Sequence, residues 1–423
     1  MRSESAAPAF LKESGLAGVG ILLIAVSIRN AVGALSPLFD QIDADIAVNS
    51  VAIGLLGTLP TLCFGVFGLV ALRLRAAAPL ELMIVGSLGA LVVGQVLRAV
   101  AGDIVSLLAA SALAFAGMGV ANVTLPPAVK RYFPASIGLM TSLFATGMAV
   151  FAFIPPLVAV PLAELAGWRI SVGSWALLAA IAAVPWLVLW ARRKRLPSAE
   201  LARQSDRSSL AAGSRALGRM VWRSHTAWAL ALLFAATSVN IFGMFAWLPE
   251  LLIAQAEVDP AAAGALLGLY GAFGAVASLT VPPIAARHPG FVMPLVIVGA
   301  LGPALGYCGM LIAPVPGVLL WLTLIGFGWV TFPLVLFLVN ARSHTTSGSI
   351  VLSGFTQGVG YLLSAGVPVL VGVLLAATGA WTAPILLFVA MAPIALVTGI
   401  IVARSGPFES AADGLLPSQH EAG

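Results

Sequence analysis

Charge is what this chain has least of. Asp, Glu, Lys and Arg together make up 9% of its 423 residues, against about 25% in a soluble globular domain. So little polar material cannot coat a water-facing globule of this size, so most of the surface must meet lipid. Cysteine is nearly missing: Cys63 and Cys308 each sit inside an apolar run, which excludes a disulfide framework and reads as two small buried side chains. Cys/His metal spacing is absent, as are a phosphate-cradling GxxxxGK loop, an HExxH pair and a GxSxG elbow. These absences remove the usual grounds for an ATP-driven pump, a zinc protease or a serine hydrolase. We therefore expect no enzyme activity, no cofactor and no metal.

What is present is apolar. The hydrophobic share is 60% and the mean hydropathy is +1.06. Gly (44) and Pro (27) are abundant, which membrane helices tolerate because their neighbours satisfy the freed backbone groups and approach closely at glycine. A membrane barrel would alternate apolar and polar residues over about ten positions; here the runs are long and unbroken. They fall at 15–39, 50–72, 80–101, 104–128, 137–162, 168–190, 226–253, 261–285, 291–313, 317–339, 349–376 and 381–403. The predicted fold is all-α, with twelve transmembrane helices in two halves. The expected parts are a bundle over 1–195, a basic linker over 196–223, a second bundle over 224–404 and a tail over 405–423. The first run is too long for a signal-peptide core and is expected to be retained.

Basic residues fix the direction. With the N-terminus in the cytoplasm, the cytoplasmic segments hold all of the 21 Lys and Arg except Arg29, Arg98 and Arg169. Predicted outer loops carry Asp40, Asp43, Asp45, Asp103, Glu257 and Asp259 instead. Both termini are thus expected inside a bacterial inner membrane. The surplus of +5 charges reads as anchoring to an anionic leaflet, with no call for nucleic acid. The end of the linker, 210–223, reads either as a solvated connector or as an interfacial helix with Leu217, Met220 and Trp222 toward lipid.

The halves repeat weakly. Gly117, Gly119, Asn122 and Pro126 of the fourth run match Gly326, Gly328, Thr331 and Pro333 of the tenth. Phe144 to Gly147 of the fifth matches Phe355 to Gly358 of the eleventh. Duplicated bundles of this kind place a site between the halves near the midplane and rock about it.

A charge near mid-membrane is a functional candidate by default. Arg29 is the deepest. It reads either as a guanidinium in a central cavity, binding an anionic or hydrogen-bond-accepting solute, or as a strut held by backbone carbonyls and Asn30. Arg98, near the outer end of the third run, is expected to pair with Asp103 or to snorkel. Arg169 is expected to be an interfacial anchor with Glu164 in reach, and Glu81 to pair with Arg73 and Arg75. Asn122, Asn240, Gln357 and Thr331 either line a cavity or bond between helices. The aromatics Phe144, Trp247, Tyr270, Phe332, Phe355 and Tyr361 either wall a small planar ligand or pack. The glycine pairs Gly264/Gly268, Gly302/Gly306 and Gly354/Gly358 have the small-xxx-small spacing of close helix packing. No Asp or Glu falls deep in a run, and His225, His288, His344 and His420 lie at ends or in the tail. A titratable relay of the kind proton-coupled carriers use is therefore not visible.

The chain resembles the major facilitator superfamily, and within it the cyanate and 2-nitroimidazole transporter family. The resemblance is carried by Arg29 and Asn30 with Ser36 and Pro37, by Asn122 with Pro126, by Lys130 with Phe133 and Pro134, by Gly167, Trp168 and Arg169, and by Trp247 with Pro249. It implies two six-helix bundles that move a small anionic or polar organic solute by alternating access, with the solute and the bilayer as partners and a monomer as the unit. It departs from the wider superfamily between the second and third runs, where Arg73 to Pro79 lacks the Asp and glycines of the usual gating loop. The expected substrate contacts are Arg29, Asn30, Asn122, Asn240, Trp247, Gln357, Phe144, Phe355, Tyr361 and Thr331. The rival reading is an efflux transporter for drugs or toxic compounds with a mostly apolar cavity; a membrane sensor that binds without translocating is a third.

Overall fold

In the computed structural model, residues 6–28, 30–134, 136–193, 217–344 and 346–409 are described. Among these the chain is helical throughout, with twelve helices long and apolar enough to span a bilayer. They are Glu13–Asp43, Ser50–Phe67, Leu80–Ala99, Ile104–Tyr132, Thr146–Ala166, Trp168–Arg193, His225–Ala256, Pro260–Arg287, Pro289–Ile312, Pro314–Ala341, Val351–Thr378 and Thr382–Arg404. Every run predicted from the sequence is present. A lipid environment offers no partner to a free N–H or carbonyl, so the chain satisfies its backbone within helices. Prolines such as Pro60, Pro126 and Pro249 lie inside continuous helices.

The first six spans pack mainly on one another, as do the last six. In the first half the third span lies against the fourth and sixth, and the fourth against the second. Small residues set that spacing: a Cβ on Gly94 would meet the Ala114 backbone at 2.5 Å. In the second half the seventh span is central; 94% of its apolar window is buried. It packs on the eleventh and twelfth spans.

The halves meet chiefly through two pairs of helices, the second with the eleventh and the fifth with the eighth, with the seventh span also touching the first and second. Their tightest approaches lie toward the end remote from the termini. A Cβ on Gly54 would stand 2.6 Å from the Pro368 carbonyl oxygen, and one on Gly268 would stand 2.7 Å from Leu157. Gly264 and Gly268 therefore do what their spacing suggests, as do Gly302 and Gly306 against the tenth span. Gly354 has no neighbour within 4 Å.

Four spans are interrupted along their length, the twelfth between Val389 and Met391. The first ends its long helix at Ser27 and continues as Asn30–Gly33, a 3-10 turn Ser36–Leu38 and Phe39–Asp43. The tenth carries a 3-10 segment, Phe327–Val330, and the eleventh divides between Ser364 and Val367. The expected linker lies outside the described residues from 196 to 216, and the tail from 410 onward. The described end of the linker closes in the turn Val221–Arg223. There Trp222 is 58% exposed, with its ring edge-on to Phe355 at 4.9 Å and Trp228 at 5.9 Å.

Candidate functional site

The break in the first span positions the site. Pro37 has no N–H to give to the carbonyl one turn back, and here the α-helix gives way to the 3-10 turn Ser36–Leu38. The chain turns here with its polar side chains inside: Asn30 is 1% exposed and Ser36 is 5% exposed. Neither amide atom of Asn30 nor the Ser36 hydroxyl has a hydrogen-bond partner among the described residues. Leaving such a buried group unpaired costs about 1–3 kcal/mol, and groups of this kind are ordinarily met by ordered water or a ligand.

A small cavity opens beside the break, between the two halves. Ala31, Leu35, Ser36 and Phe39 of the first span, Gly57 and Pro60 of the second and Phe115 of the fourth form one wall. Phe242, Phe245 and Ala246 of the seventh span form the other. Its volume is about 20 Å³, room for roughly one water molecule. Aromatic rings extend from it into the second half. Phe242 stands 6.0 Å from Phe64 and 5.9 Å from Tyr361, and Phe245 stands 6.0 Å from Tyr270 and 6.1 Å from Trp329.

Arg98 approaches the break from behind. It is 1% exposed. Its Nε donates to Ser111 Oγ at 2.8 Å, and Nη1 donates to the Ala31 carbonyl at 3.0 Å and to Gln95 Oε1 at 3.1 Å. The guanidinium carbon lies 4.6 Å from the Phe115 ring centroid, and Nη2 has no partner. The expected pairing with Asp103 is not found: Asp103 instead caps the fourth span, accepting from the Ser106 N–H at 2.9 Å. Serving as that cap holds the Asp103 carboxyl below its usual range. Arg98 is thus a buried cation supported by neutral dipoles, where a charge withdrawn from water costs several kcal/mol even after relaxation.

The other predicted contacts separate into distinct places. Arg29 lies outside the described residues. Asn30 is at the break. Tyr361 joins the aromatic rings beside the cavity, 5.6 Å from Phe64. Asn240 and Thr331 lie inside the second half. Asn240 Oδ1 accepts from the Tyr270 hydroxyl at 2.7 Å, and Nδ2 donates to the Tyr307 oxygen at 2.9 Å. Thr331 Oγ1 donates to the Gly328 carbonyl and accepts from Thr237, both at 2.8 Å. A second cavity of about 20 Å³ borders both residues. Trp247 is fully buried and donates from Nε1 to the Pro368 carbonyl at 3.0 Å. Phe355 packs against Trp222 and Trp228 at the terminus-side end. Asn122, Phe144 and Gln357 are half-buried, and Gln357 Nε2 donates to Ser353 Oγ at 2.9 Å.

The side chains of Arg73 and Arg75, the partners expected for Glu81, lie outside the described residues. Glu81 is fully buried and binds Arg131 at 3.1 Å and Arg193 at 3.0 Å, because the fourth and sixth spans end beside the start of the third. Arg169 pairs with Asp45, not Glu164. Glu250 adds a half-buried carboxylate near the remote end of the seventh span, its Oε2 without a partner. Sequence reasoning also passed over Phe242 and Phe245, whose three-residue spacing puts them on one helix face.

Two bundles joined face to face, with a polar break and a cavity between them, define the architecture of a twelve-helix membrane transporter. Residues 21–365 match the Major Facilitator Superfamily, and the chain belongs to that family. It is 30% identical over 375 residues to the uncharacterized transporter YycB of Bacillus subtilis, covering 88% of this chain and 89% of the relative. It is 28% identical over 388 residues to the 2-nitroimidazole transporter of Escherichia coli, covering 91% and 94%. It is 26% identical over 368 residues to the cyanate transport protein CynX of Escherichia coli, covering 85% and 90%. A bacterial homologue of the human lysosomal transporter Spinster, in an inward-facing unoccupied conformation, has the same fold. Its TM-score is 0.73 at 13% identity, over 93% of this chain and 97% of that one.

Proposed function

We propose that this transporter moves a small anionic or polar organic solute, bound between its halves at the break in the first span. The carrying observation is the set of buried polar groups without partners there, Asn30 and Ser36, beside a cavity walled by both halves. Two relatives named for cyanate and 2-nitroimidazole transport support a small solute of this kind. Aromatic rings on the far wall suit a flat solute, and hydrogen-bonding groups on the near wall suit its polar edge. Arg29 directly precedes Asn30 in the chain and is assigned the first contact with the anion.

The working units are the bundles over 1–195 and 224–404, joined by the basic linker over 196–223 and followed by the tail over 405–423. The basic residues favour both termini on the cytoplasmic side of a bacterial inner membrane, with a monomer as the unit. The packing at the remote end then makes this an inward-facing arrangement.

Uptake into proteoliposomes tests the reading. Cyanate or 2-nitroimidazole counterflow by the wild type, with loss of most transport in both Arg29→Ala and Arg29→Lys, is the expected result, since Lys cannot reproduce a planar fork. Unchanged transport in both variants would favour the mostly apolar cavity of an exporter.

A further inference from the structure

Among the described residues the charge on Arg98 has no acidic partner: no carboxylate lies within 4.0 Å of it, and its bonds go to a hydroxyl, a carbonyl and a neutral amide. Buried cations are ordinarily paired with an anion or neutralised. Arg does not neutralise, so a structural strut at this position would be better made with a neutral side chain. Two of the groups that touch the guanidinium are also cavity wall. The Ala31 carbonyl it holds belongs to a lining residue, and the Phe115 ring beneath it lines the same space. In the same broken segment Asn30 and Ser36 are buried and without hydrogen-bond partners among the described residues.

We infer that Arg98 is a positioning residue that makes the cavity selective for anions. It does so through its charge. Held against the broken turn by its bond to the Ala31 carbonyl, and with no carboxylate beside it among the described residues, it leaves a standing positive field across that turn, which a small anion satisfies and a neutral solute does not. Its Nη2 hydrogens stay free to turn toward an acceptor. Arg98 therefore sets which solutes the site prefers, while direct contact falls to the first span. The inference rests on the proposed solute site between the halves.

Purified protein in detergent provides the test, read as ligand-dependent thermal stabilisation at constant ionic strength with gluconate as the bulky control anion. The probes are cyanate and nitrate as small anions, and 1-methyl-2-nitroimidazole as a ring that cannot ionise. The expected result is stabilisation of the wild type by all three probes. Arg98→Gln should weaken apparent affinity for the anions about tenfold or more and leave the neutral ring unchanged. Arg98→Lys, which keeps the charge and loses the fork to Ser111, Gln95 and Ala31, should retain a response to the anions and covers the case in which the Gln variant does not fold. Equal loss of anionic and neutral probes in Arg98→Gln, or a folded Arg98→Lys that has lost the anions, would overturn the inference, because geometry alone would explain it. An unchanged anion response in Arg98→Gln overturns this inference and leaves the proposed site standing. A wild type that answers to the neutral ring and to no small anion overturns both the inference and the anionic reading beneath it.

Discussion

The Tyr132 hydroxyl donates to Glu81 Oε1 at 2.6 Å, inside a contact that also brings Arg131 and Arg193 to the same carboxylate. One side chain thus ties the terminus-side ends of the third, fourth and sixth spans. Glu81 is fully buried, whereas Arg131 is 30% and Arg193 19% exposed, so water can still reach the cations when the acid is lost. Glu81→Gln should lower stability by about 1–3 kcal/mol, less than an entirely dry triad would lose. Thermal unfolding of the purified protein measures this. Adding Arg193→Gln should recover part of the loss, because one uncompensated charge is removed with it.

Gly54 offers a test of the closed end. Its Cα faces backbone of the eleventh span, with Pro368 O at 2.6 Å and the Val369 Cα at 2.7 Å from any added Cβ. Backbone cannot swing aside as a flexible side chain can. Gly54→Val should therefore keep the halves from meeting at the remote end while leaving each bundle intact. Transport should fall by about tenfold or more. Single cysteines placed at the remote mouth, in a background lacking Cys63 and Cys308, should label faster than in the parent. A variant that transports normally would show that this approach is not required for the cycle.

The span pattern was legible because lipid imposes it: each run long enough to cross became a helix. The site was legible only in part. Ser36 and Pro37 entered the sequence reading through the family resemblance, and no sequence period shows that Asn30 and Ser36 end up buried without partners among the described residues. Arg98 was misread because position along a span gives depth and not direction. Half a turn of rotation about the helix axis separates a side chain that snorkels from one that points into the bundle. Arg169 illustrates the same limit: nearness in sequence favoured Glu164, while packing delivered Asp45 from the loop after the first span. The repeat predicted matching roles for the fourth and tenth spans. Their glycines do pack closely, but Gly119 faces the Cys63 carbonyl and Gly328 faces the Asn240 side chain. Sequence similarity between the halves does not carry over into equivalent contacts.

Asn240 separates a binding role from a scaffold role. Its amide is used on both sides, by Tyr270 and by Tyr307, and its own carbonyl lies 3.3 Å from the Tyr270 hydroxyl. Asn240→Leu would orphan the buried Tyr307 hydroxyl and leave Tyr270 only the backbone carbonyl of residue 240, at a cost of about 1–3 kcal/mol. If the residue is only a scaffold, the folded fraction should bind 1-methyl-2-nitroimidazole with wild-type affinity. Loss of affinity at unchanged unfolding temperature would instead make it a substrate contact. Titration calorimetry beside thermal unfolding reads the two quantities independently.

At the remote end, Asp45 fastens the loop after the first span to the start of the sixth. It accepts from the Trp168 indole at 2.8 Å and pairs with Arg169, whose Nη2 also donates to the Ala101 carbonyl at 3.1 Å. The indole hydrogen bond, followed by the guanidinium, holds the Asp45 carboxyl below its ordinary value. A carboxyl depressed in the folded state stabilises fully above the ordinary carboxylate range, and that contribution fades as pH falls through the folded value. The tie should therefore be intact at neutral pH and weaken only in acid. Asp45→Asn keeps much of the shape and cannot ionise. It should lower the unfolding temperature modestly at pH 7, since the pair is half exposed and screened by salt. In acid its unfolding curve should converge with that of the wild type, because protonation has by then removed the same charge. Unfolding temperatures followed from pH 7 down to about pH 3, bracketing the ordinary aspartate value, check the sign. A gap between the two proteins that widens in acid would mean that the indole bond to a neutral carboxyl, and not the charge, holds the loop.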